Sequence, residues 1–596
     1  MGSRHTTPVQ LPGFNLPLDH RPSQKRNLYE LSVFPNALDP RDVEQGYAGR
    51  VSTQREITMM QIMNAIAEKP EWDRKVFDDT ITDRWRTEIM ESGRDVSRRM
   101  MDWIFRELRW KTEGFQRHGL FPVFDIGVVR SDTAVSPELQ QALRQAVRPL
   151  ETIPEDQKDY HPGSEQRVVD LVHPSLFPLV YGQTRILPDS CITRDDCLES
   201  MGEGVHLPIP PESEAGSVGR NSWHYNGLRP YSRKFQWLPC DVALNETGGC
   251  HIRSYINNLH PTQHEDLYHV VEQIIDAAIP LWDASLTKVR SYCNERIPYD
   301  HVEYLDHPRP EPEPQEDEDS DSEAFWDRHE EWRRARPIRQ PEPGAFTPSR
   351  PSYTGPVDLR TRFRDDGLQI IVKLANIELT PERPDYGGGS WHIEGQLNER
   401  ICATAIYYYD SHNITDSHLC FRQRATTDLS EVRYEQSHHE FLQVVYGFGP
   451  EVTGLGDTPV TQDLGSVQCR PGRLLTFPNT VQHRVAPFAL ADPTQPGHRK
   501  ILALFLVDPH RRIISTAHVP PQQAEWARAR QAAVQQALSA RLPPELQHLV
   551  SQALPAAGMT GAAAQAYRQE LMDERRARQR AQNTTFERGD FALCEH

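Results

Sequence analysis

The chain has 596 residues, of which 37% are hydrophobic and 48 are prolines, as in a globular protein with many loops. This length allows a large core and more than one domain, or one heavily decorated domain. The formal net charge of -18 argues against general binding to nucleic acid or anionic membranes, because both require a basic surface. No segment is apolar enough to cross a bilayer, so we expect no membrane span.

The cysteines indicate the compartment. All nine are scattered along the chain, and no C-x-x-C pair occurs among them. An odd number at low density favours reduced thiols over a disulfide framework. We therefore expect an intracellular protein, located in the cytoplasm or the nucleus.

The first 165 residues are predicted to be mainly helical. Apolar residues recur at helical spacing in two stretches, Met59–Ile66 and Met100–Leu108. Ser136 followed by Pro137 is typical of a helix start, with the serine as N-cap and the proline in the first turn. No pattern in this region suggests chemistry, so we interpret it as a structural layer.

Strand-like runs dominate from Val168 to about residue 517. Bounded apolar runs predict strands at 179–186, 234–242, 250–260, 368–379, 401–409, 442–446 and 497–507. An amphipathic helix is predicted among them, from Pro261 to about Ile279. Residues 518–596 are rich in Ala, Gln and Arg and are predicted to form a helical C-terminal segment.

An insertion interrupts the strand region at about residues 306–350. Glu311–Glu323 contains eight acidic residues and no basic one, and Arg-rich and Pro/Ser-rich tracts follow it. Such composition predicts a disordered or loosely packed segment. A solvated acidic loop is the simpler interpretation, and a binding surface for a protein partner is the alternative.

The most informative pattern is the order His392-x-Glu394, then His483, then Arg499. On an extended strand residues i and i+2 face the same side, so His392 and Glu394 can reach one metal ion. His483 follows a predicted apolar strand and can supply a third ligand. Two imidazoles and one carboxylate form the facial triad that holds non-haem Fe(II) and leaves open coordination positions.

Arg499 stands at the mouth of the last predicted strand. Its planar guanidinium can bind a carboxylate through two parallel hydrogen bonds. Strand parity places Arg499 on one face with Ala503 and Phe505, and it places Lys500 on the other face. Only one of the two basic residues can line a pocket, and we choose Arg499.

This ordered set resembles the double-stranded β-helix of Fe(II)/2-oxoglutarate oxygenases, which is a jelly-roll or cupin-like core. The resemblance implies an α+β fold with a catalytic domain at residues 166–517, including the acidic insertion. The helical N-terminal region at 1–165 and the helical C-terminal segment at 518–596 would flank this domain.

The resemblance also implies roles for the residues. The candidate ligands His392, Glu394 and His483 would bind Fe(II), and Arg499 would bind the far carboxylate of 2-oxoglutarate. The implied reaction uses O2 to hydroxylate or demethylate a small-molecule or peptide substrate, and it releases succinate and CO2. Tyr407 and Tyr409 share one face of a predicted strand, and either is a candidate hydrogen-bond partner of the co-substrate.

Substrate contacts are predicted only loosely. Several polar residues lie in or beside apolar runs, and they could either bind a polar substrate or hydrogen-bond neighbouring loops. The candidates, including a tryptophan that could line the pocket or belong to the core, are Arg185, Gln236, Asn257, Asn258, His260 and Trp391.

Four stretches of the sequence are distinctive: Phe235–Asp241, Ser254–Pro261, Gly388–Gly395 and the terminal Leu593–His596. They resemble a mainly fungal family, that of the domain of unknown function 4246. This resemblance extends from about residue 30 to the end of the sequence. It implies a fungal source and says little about function.

Two other interpretations stay open. His260, His264 and Glu265 near a predicted helix start could belong to a zinc metallohydrolase, although His-x-x-x-His-Glu is not the His-Glu-x-x-His motif of such enzymes. The second alternative is a catalytically silent β-helix protein that acts as a scaffold through its helical ends and acidic insertion. Bound Fe(II), bound zinc and the lack of a bound metal would distinguish the three interpretations.

Overall fold

The computed structural model of the chain has a mixed α and β architecture. It describes residues 9–21, 33–44, 49–215, 230–245, 248–290, 295–314, 322–348, 355–429, 431–436, 438–449, 458–528, 542–543, 545–546, 549, 558–589 and 591.

The helices within these residues are α1 (Pro40–Glu44), α2 (Gln54–Ala67), α3 (Trp72–Lys75), α4 (Asp79–Met90), α5 (Arg98–His118), α6 (Pro137–Glu151), α7 (Glu265–Arg290), α8 (Glu323–Arg334), α9 (Leu359–Arg362), α10 (Glu440–Val444) and α11 (Gly561–Glu587). The first ten strands are β1 (Phe121–Phe124), β2 (Val128–Ser131), β3 (Val168–Val172), β4 (Leu179–Val180), β5 (Arg185–Ile186), β6 (Val205–His206), β7 (Phe235–Gln236), β8 (Cys240–Leu244), β9 (Cys250–Ile252) and β10 (Leu368–Leu379). They are followed by β11 (Asp385–Tyr386), β12 (Ile401–His412), β13 (His418–Arg424), β14 (Thr458–Pro459), β15 (Thr461–Gln468), β16 (Leu474–Pro478), β17 (Gln482–Val485), β18 (Phe488–Ala489), β19 (Gly497–Val507) and β20 (Arg588–Gly589).

The large sheet has nine strands, and its pairings are antiparallel. Its order is β1-β2-β16-β12-β19-β10-β8-β9, and β3 also pairs with β10. The central strands β10, β12 and β19 are long and almost continuously apolar, as strands covered on both faces must be. The strands predicted at 368–379 and 497–507 are confirmed with the same bounds.

The two faces of the large sheet pack against different partners. On one face, Tyr407 and Leu504 share a core with the α7 residue Ile274. On the other face, Tyr408 and Phe505 share a core with residues of a second sheet, ordered β15-β13-β17. We call the second sheet the small sheet. We call the face of the large sheet that is turned toward the small sheet the inner face.

One backbone rung extends the small sheet beyond β17. His392 and His483 form an isolated antiparallel bridge and exchange both backbone hydrogen bonds, each at 3.1 Å. The strand predicted around His392 is reduced to this rung, and the neighbouring residues are irregular. The rung fixes the segment of His392 against the strand of His483, which positions the site described below.

The helices of the N-terminal region lie where apolar periodicity predicts them, in α2 and α5. The predicted start of α6 is confirmed. Ser136 Oγ accepts the amide hydrogen of Leu139 at 3.2 Å, and Pro137 occupies the first turn. The hairpin β1–β2 was not expected in this region, and it adds an edge to the large sheet through β16.

The helix α7 is longer and starts later than predicted. It begins at Glu265 rather than Pro261, because the preceding residues form a turn in which His260 Nδ1 accepts the amide hydrogen of Gln263 at 3.3 Å. It continues through Pro280 to Arg290 and therefore extends beyond the predicted end at about Ile279. Its apolar side packs on the large sheet, against the face opposite the inner face.

The strand predicted at 442–446 is wrong, because these residues overlap the short helix α10. A short apolar run bounded by turns fits a buried helix as well as a buried strand, so periodicity alone cannot separate the two.

The insertion, predicted to be disordered or loosely packed, contains the helix α8, and none of the residues of α8 is buried. Ser322 caps α8, and Phe346 packs edge-on against Trp103 with ring centroids 5.3 Å apart. Burial of one aromatic ring and a capped helix supply the contacts that the acidic composition did not suggest. The acidic residues 315–321 lie outside the described residues.

The C-terminal segment contains α11, which has 27 residues and crosses the edge of the small sheet at the His392–His483 rung. Residues 529–541 and 592–596 of this predicted segment lie outside the described residues. Among the helices that the structure describes, none combines the length and the apolar character that a membrane span needs.

Candidate metal centre

Three side chains predicted as ligands converge in the structure. The ligand atoms of His392, Glu394 and His483 all lie within 4.8 Å of one another. Glu394 Oε1 is 3.1 Å from His483 Nε2 and 3.6 Å from His392 Nε2, and the two imidazole centroids are 4.2 Å apart. Two nitrogens and one carboxylate oxygen therefore face a common point.

Local backbone contacts bring the three together. Gly388 has a φ of +88°, and a Cβ at this position would lie 2.9 Å from the carbonyl oxygen of Val485, so a glycine allows the segment to approach β17. The Asn479 side chain then holds the Glu394 backbone, with hydrogen bonds of 3.1 Å to both its N–H and its carbonyl oxygen. The carboxylate is thereby directed toward the two imidazoles.

The tautomer of His392 suits a metal ligand. Its Nδ1 lies 2.8 Å from the carbonyl oxygen of Ser390. A carbonyl oxygen only accepts hydrogen bonds, so Nδ1 carries the hydrogen and the lone pair of the neutral ring is on Nε2. That nitrogen is the one that faces Glu394. A ligand histidine whose second nitrogen donates to a backbone carbonyl is the usual arrangement in metal sites.

The protonation states also favour a cation. Burial lowers the pKa of His483 to about 4, so this imidazole is neutral near pH 7. Burial by itself raises the pKa of Glu394, but the favourable interactions of its carboxylate with the adjacent rings of His392 and His483 outweigh burial and hold that pKa well below its usual value. Burial opposes protonation of His392, and the adjacent carboxylate still raises its pKa above the usual value. The cluster thus offers an ionised carboxylate beside imidazole lone pairs.

Arg499 lies on the inner face, as its strand parity with Ala503 and Phe505 requires. Its side chain is buried, and Nη1 donates to Ser417 Oγ at 2.6 Å. The guanidinium lies over the rings of Tyr408 and Phe488, 5.7 and 5.2 Å from the centroids. Among the described residues no carboxylate pairs with it, and its Nε has no hydrogen-bond partner. A buried cation without a counter-ion fits an anionic ligand.

Tyr407 and Tyr409 were predicted to face the co-substrate, and this prediction is wrong. They do lie together, but both belong to the core on the α7 side, opposite the inner face. Tyr409 donates its hydroxyl hydrogen to Asn376 Oδ1 at 3.3 Å. Tyr408 lies beside Arg499 instead, because the face turned toward the site is set by strand pairing and not by alternation within one strand.

The polar residues considered for substrate binding hold loops together. Gln236 Nε2 donates to the Ile514 carbonyl at 2.8 Å, and Asn257 Nδ2 donates to the Phe177 carbonyl at 3.0 Å. Asn258 Nδ2 donates to the His173 carbonyl at 2.8 Å. These bonds satisfy buried amides internally, which is a structural role.

The other three candidates also lie away from a pocket formed by the triad. Arg185 is exposed and donates to the carbonyl of Gly204 at 2.9 Å. His260 forms the turn before α7, as described above. Trp391 is sandwiched between Arg422 and Arg484, each 4.6 Å from a ring centroid, on the side turned toward α11.

A contact from α11 links the two segments that carry the ligands. Asn583 Nδ2 donates to the Trp391 carbonyl at 2.9 Å, and Asn583 Oδ1 accepts from Gln482 Nε2 at 2.8 Å. Trp391 and Gln482 directly precede His392 and His483 in the sequence. The sequence carries no signal for this contact, because an Asn in a polar helix is ordinary. Ser417 and Tyr408 were likewise missed, and the strand register would have revealed both.

A second cluster also consists of two histidines and one carboxylate. His161, Asp170 and His173 also place one ligand atom each within 4.8 Å of one another. His161 Nδ1 is 2.8 Å from Asp170 Oδ2, and His173 Nε2 is 4.0 Å from the same oxygen. Arg568 of α11 forms a buried ion pair with Asp170. The described residues contain only these two groups of potential ligands, and neither includes His260 or His264 of the hydrolase interpretation.

Comparisons with known proteins identify the family. Residues 98–530 match the family model described as "Protein of unknown function (DUF4246)", and residues 11–88 match "Domain of unknown function DUF4246, N-terminal". The chain belongs to this family. Its fungal origin stays a prediction, because the match does not identify a source. No curated protein matches the chain.

Several solved structures have partial similarity to this member of the family. They include a bsmA homologue from Methylobium petroleophilum PM1 (14% identity, TM-score 0.13), the Fe(II)/(alpha)ketoglutarate-dependent dioxygenase TqaL (17%, 0.16) and IDO from Bacillus thuringiensis (13%, 0.14). The matched regions cover 24%, 29% and 25% of this chain and 41%, 50% and 51% of those structures. The chain thus spans about half of each or less, and scores this low carry no argument about fold or activity.

Proposed function

We propose that this protein is an Fe(II)/2-oxoglutarate-dependent oxygenase whose core is a double-stranded β-helix. The main observation in support is the convergence of His392 Nε2, His483 Nε2 and a Glu394 carboxylate oxygen, with the His392 tautomer set by Ser390. Imidazole and carboxylate ligands in this number are those of the facial triad of non-haem iron enzymes.

The residues present fit the metal and the co-substrate. His392, Glu394 and His483 would hold Fe(II), and Arg499 with Ser417 Oγ would bind the far carboxylate of 2-oxoglutarate on the inner face. When bound, the iron and 2-oxoglutarate would supply oxidation of a substrate C–H bond by O2, with succinate and CO2 as co-products. The hydrophobic residues Phe477 and Phe421 around His483 would limit water at the metal.

The two-sheet arrangement supports the proposed core. The small sheet carries His483 on β17 and the His392 rung at its edge, and the large sheet carries Arg499 at the start of β19. The candidate ligands of one sheet and the candidate anion-binding arginine of the other thus lie on the sides of the two sheets that face each other. This placement accounts for the wide separation of the four residues in the sequence.

Metal and co-substrate binding test the proposal directly. Under anaerobic conditions, we expect the purified protein to bind about one equivalent of Fe(II) and then to develop a weak visible absorption band on addition of 2-oxoglutarate. Retention of zinc without that band would favour a metallohydrolase. Failure to bind any metal would favour a silent scaffold.

A further inference from the structure

One lysine on the inner face lacks a hydrogen bond or a close ion pair among the described residues. The other cations have assigned partners: Arg568 pairs with Asp170, Arg575 pairs with Glu399, and Arg499 is proposed to bind the co-substrate beside Ser417. Lys373 in β10 forms no hydrogen bond or ion pair with any residue that the structure describes. An ammonium group without a counter-ion inside a fold is costly unless water or a ligand anion contacts it.

The position of Lys373 shows that the space there is open. β10 is a central strand between β19 and β3, and Lys373 is paired with Ala503 of the inner face. Its neighbours on that face, Ile371 and Ala375, are buried, whereas Lys373 is only half-buried. A central strand is shielded at both edges, so solvent reaches Lys373 from the inner face.

Lys373 lies close to residues of both ligand clusters. Leu374 pairs with Val172, so His173 is the next residue of the partner strand beside Lys373. Lys373 also interacts electrostatically with His392. Burial raises the pKa of Asp170, whereas charges that include Lys373 lower it. The ammonium group is therefore near His392 on one side and Asp170 on the other.

We propose that Lys373 binds an anionic group, a carboxylate or a phosphate, of the substrate that the metal centre oxidises. This inference rests on the proposed function. Arg499 would bind the co-substrate carboxylate at its own position beside Ser417 and Tyr408, so Lys373 supplies a second and separate anion site. The substrate class is thus an organic acid or phosphate ester whose oxidisable C–H group extends from Lys373 toward the triad.

Paramagnetic relaxation tests the position of the anion. The full chain is loaded with Mn(II) and saturated with 2-oxoglutarate, and inorganic phosphate and acetate are titrated as separate probes. We expect the metal to accelerate phosphorus relaxation, methyl-proton relaxation or both, according to which anion the site accepts. Lys373→Met should weaken the binding of the responding probe at least about tenfold, and Lys373→Arg should retain it.

A matched control is Lys500→Met, because Lys500 lies on the opposite face of the neighbouring strand and pairs with Glu151 at 2.9 Å. Lys500→Met should bind the probe anion with the same affinity as the parent protein. The affinity for 2-oxoglutarate should be unchanged in Lys373→Met and reduced in Arg499→Met.

Three results would overturn the inference. One is equal probe relaxation in the parent and Lys373→Met, which includes the case in which neither probe responds. Another is an equal loss of 2-oxoglutarate affinity in Lys373→Met and Arg499→Met, because Lys373 would then bind the co-substrate. If Mn(II) does not bind at all, the proposed function fails. In that case, calorimetric titration of the same two anions into the metal-free parent and into metal-free Lys373→Met tests whether Lys373 binds an anion. Equal heats in the two proteins would count against an anion site at Lys373.

Discussion

Two clusters in this protein have the same ligand inventory but differ in what they can bind. Each contains two histidines and one carboxylate within 4.8 Å. In the first, His392 Nδ1 donates to a carbonyl, which leaves the Nε2 lone pair free for a metal. In the second, His173 Nδ1 accepts the amide hydrogen of Ser175 at 3.1 Å, so the ring hydrogen is on the Nε2 that faces Asp170. A nitrogen that carries a hydrogen cannot ligate a cation.

Charge reinforces the difference. Asp170 already pairs with the Arg568 guanidinium, and this positive charge would repel a metal dication. Among the described residues, the ion-pair partners of the Glu394 carboxylate are the imidazoles of His392 and His483, and burial keeps His483 neutral. A list of ligand types therefore does not define a metal site. The hydrogen bonds and charges that surround the ligands decide which cluster can hold an ion.

The largest effect should come from removing one ligand of the first cluster. We expect His483→Ala to weaken Fe(II) binding more than about a hundredfold, because loss of a ligand should cost more than loss of a residue that supports one. His173→Ala, the corresponding change in the second cluster, should leave about one equivalent bound. Metal content and calorimetry measure both, with circular dichroism as a check on folding. Equal iron occupancy in His483→Ala and the parent would refute the assignment of the first cluster.

The next effect concerns the co-substrate. Arg499→Ala should weaken 2-oxoglutarate binding by up to about a hundredfold, because a charged hydrogen bond contributes about 1.5–3 kcal/mol. Iron binding should be little affected, since Arg499 is not among the convergent ligands. Lys500→Ala on the opposite face serves as the control. Anaerobic titration of the visible band gives the affinities, and equal values in the two variants would count against the role of Arg499.

Metal affinity should depend on pH in a defined direction. Metal binding requires neutral imidazoles, and the pKa of His392 is raised by Glu394 against the effect of burial. As pH falls through that raised pKa, protons compete for Nε2, and the affinity should drop by about tenfold per pH unit. His483, with a pKa of about 4, adds a second proton only in stronger acid. Co(II) titrations between about pH 5 and about pH 8 measure this slope, and a flat profile would contradict the assigned protonation states.

The smallest effect should come from the helix that spans the site. Asn583→Ala removes the link between the segments of His392 and His483, and we expect about tenfold weaker metal binding. Gln579→Ala is the matched control, because the side-chain hydrogen bonds of Gln579 to described residues reach the Ser390–Trp391 segment and not that of His483. The absorption spectrum of bound Co(II) should shift in Asn583→Ala more than in Gln579→Ala. A change in melting temperature without a spectral change would indicate a purely structural role.

The sequence predicted the long central strands well and the short elements poorly. β10 and β19 have twelve and eleven residues and are mostly apolar, and this long apolar pattern predicted them well. The run at 442–446 is too short for that and is partly helical. Tyr407 was chosen where Tyr408 faces the site, since alternation gives two faces but does not say which one is the inner face.

Sequence order alone determined the candidate ligands His392, Glu394 and His483, because a two-residue spacing and the chemistry of imidazole and carboxylate are local properties. Tertiary structure alone decided the rest. It brought β17 beside the His392 rung, set the tautomers through backbone carbonyls and amides, and placed Arg568 against the second cluster. The His392–His483 bridge and the Asp170–Arg568 ion pair join residues tens to hundreds of positions apart, and no local pattern encodes which of them will meet.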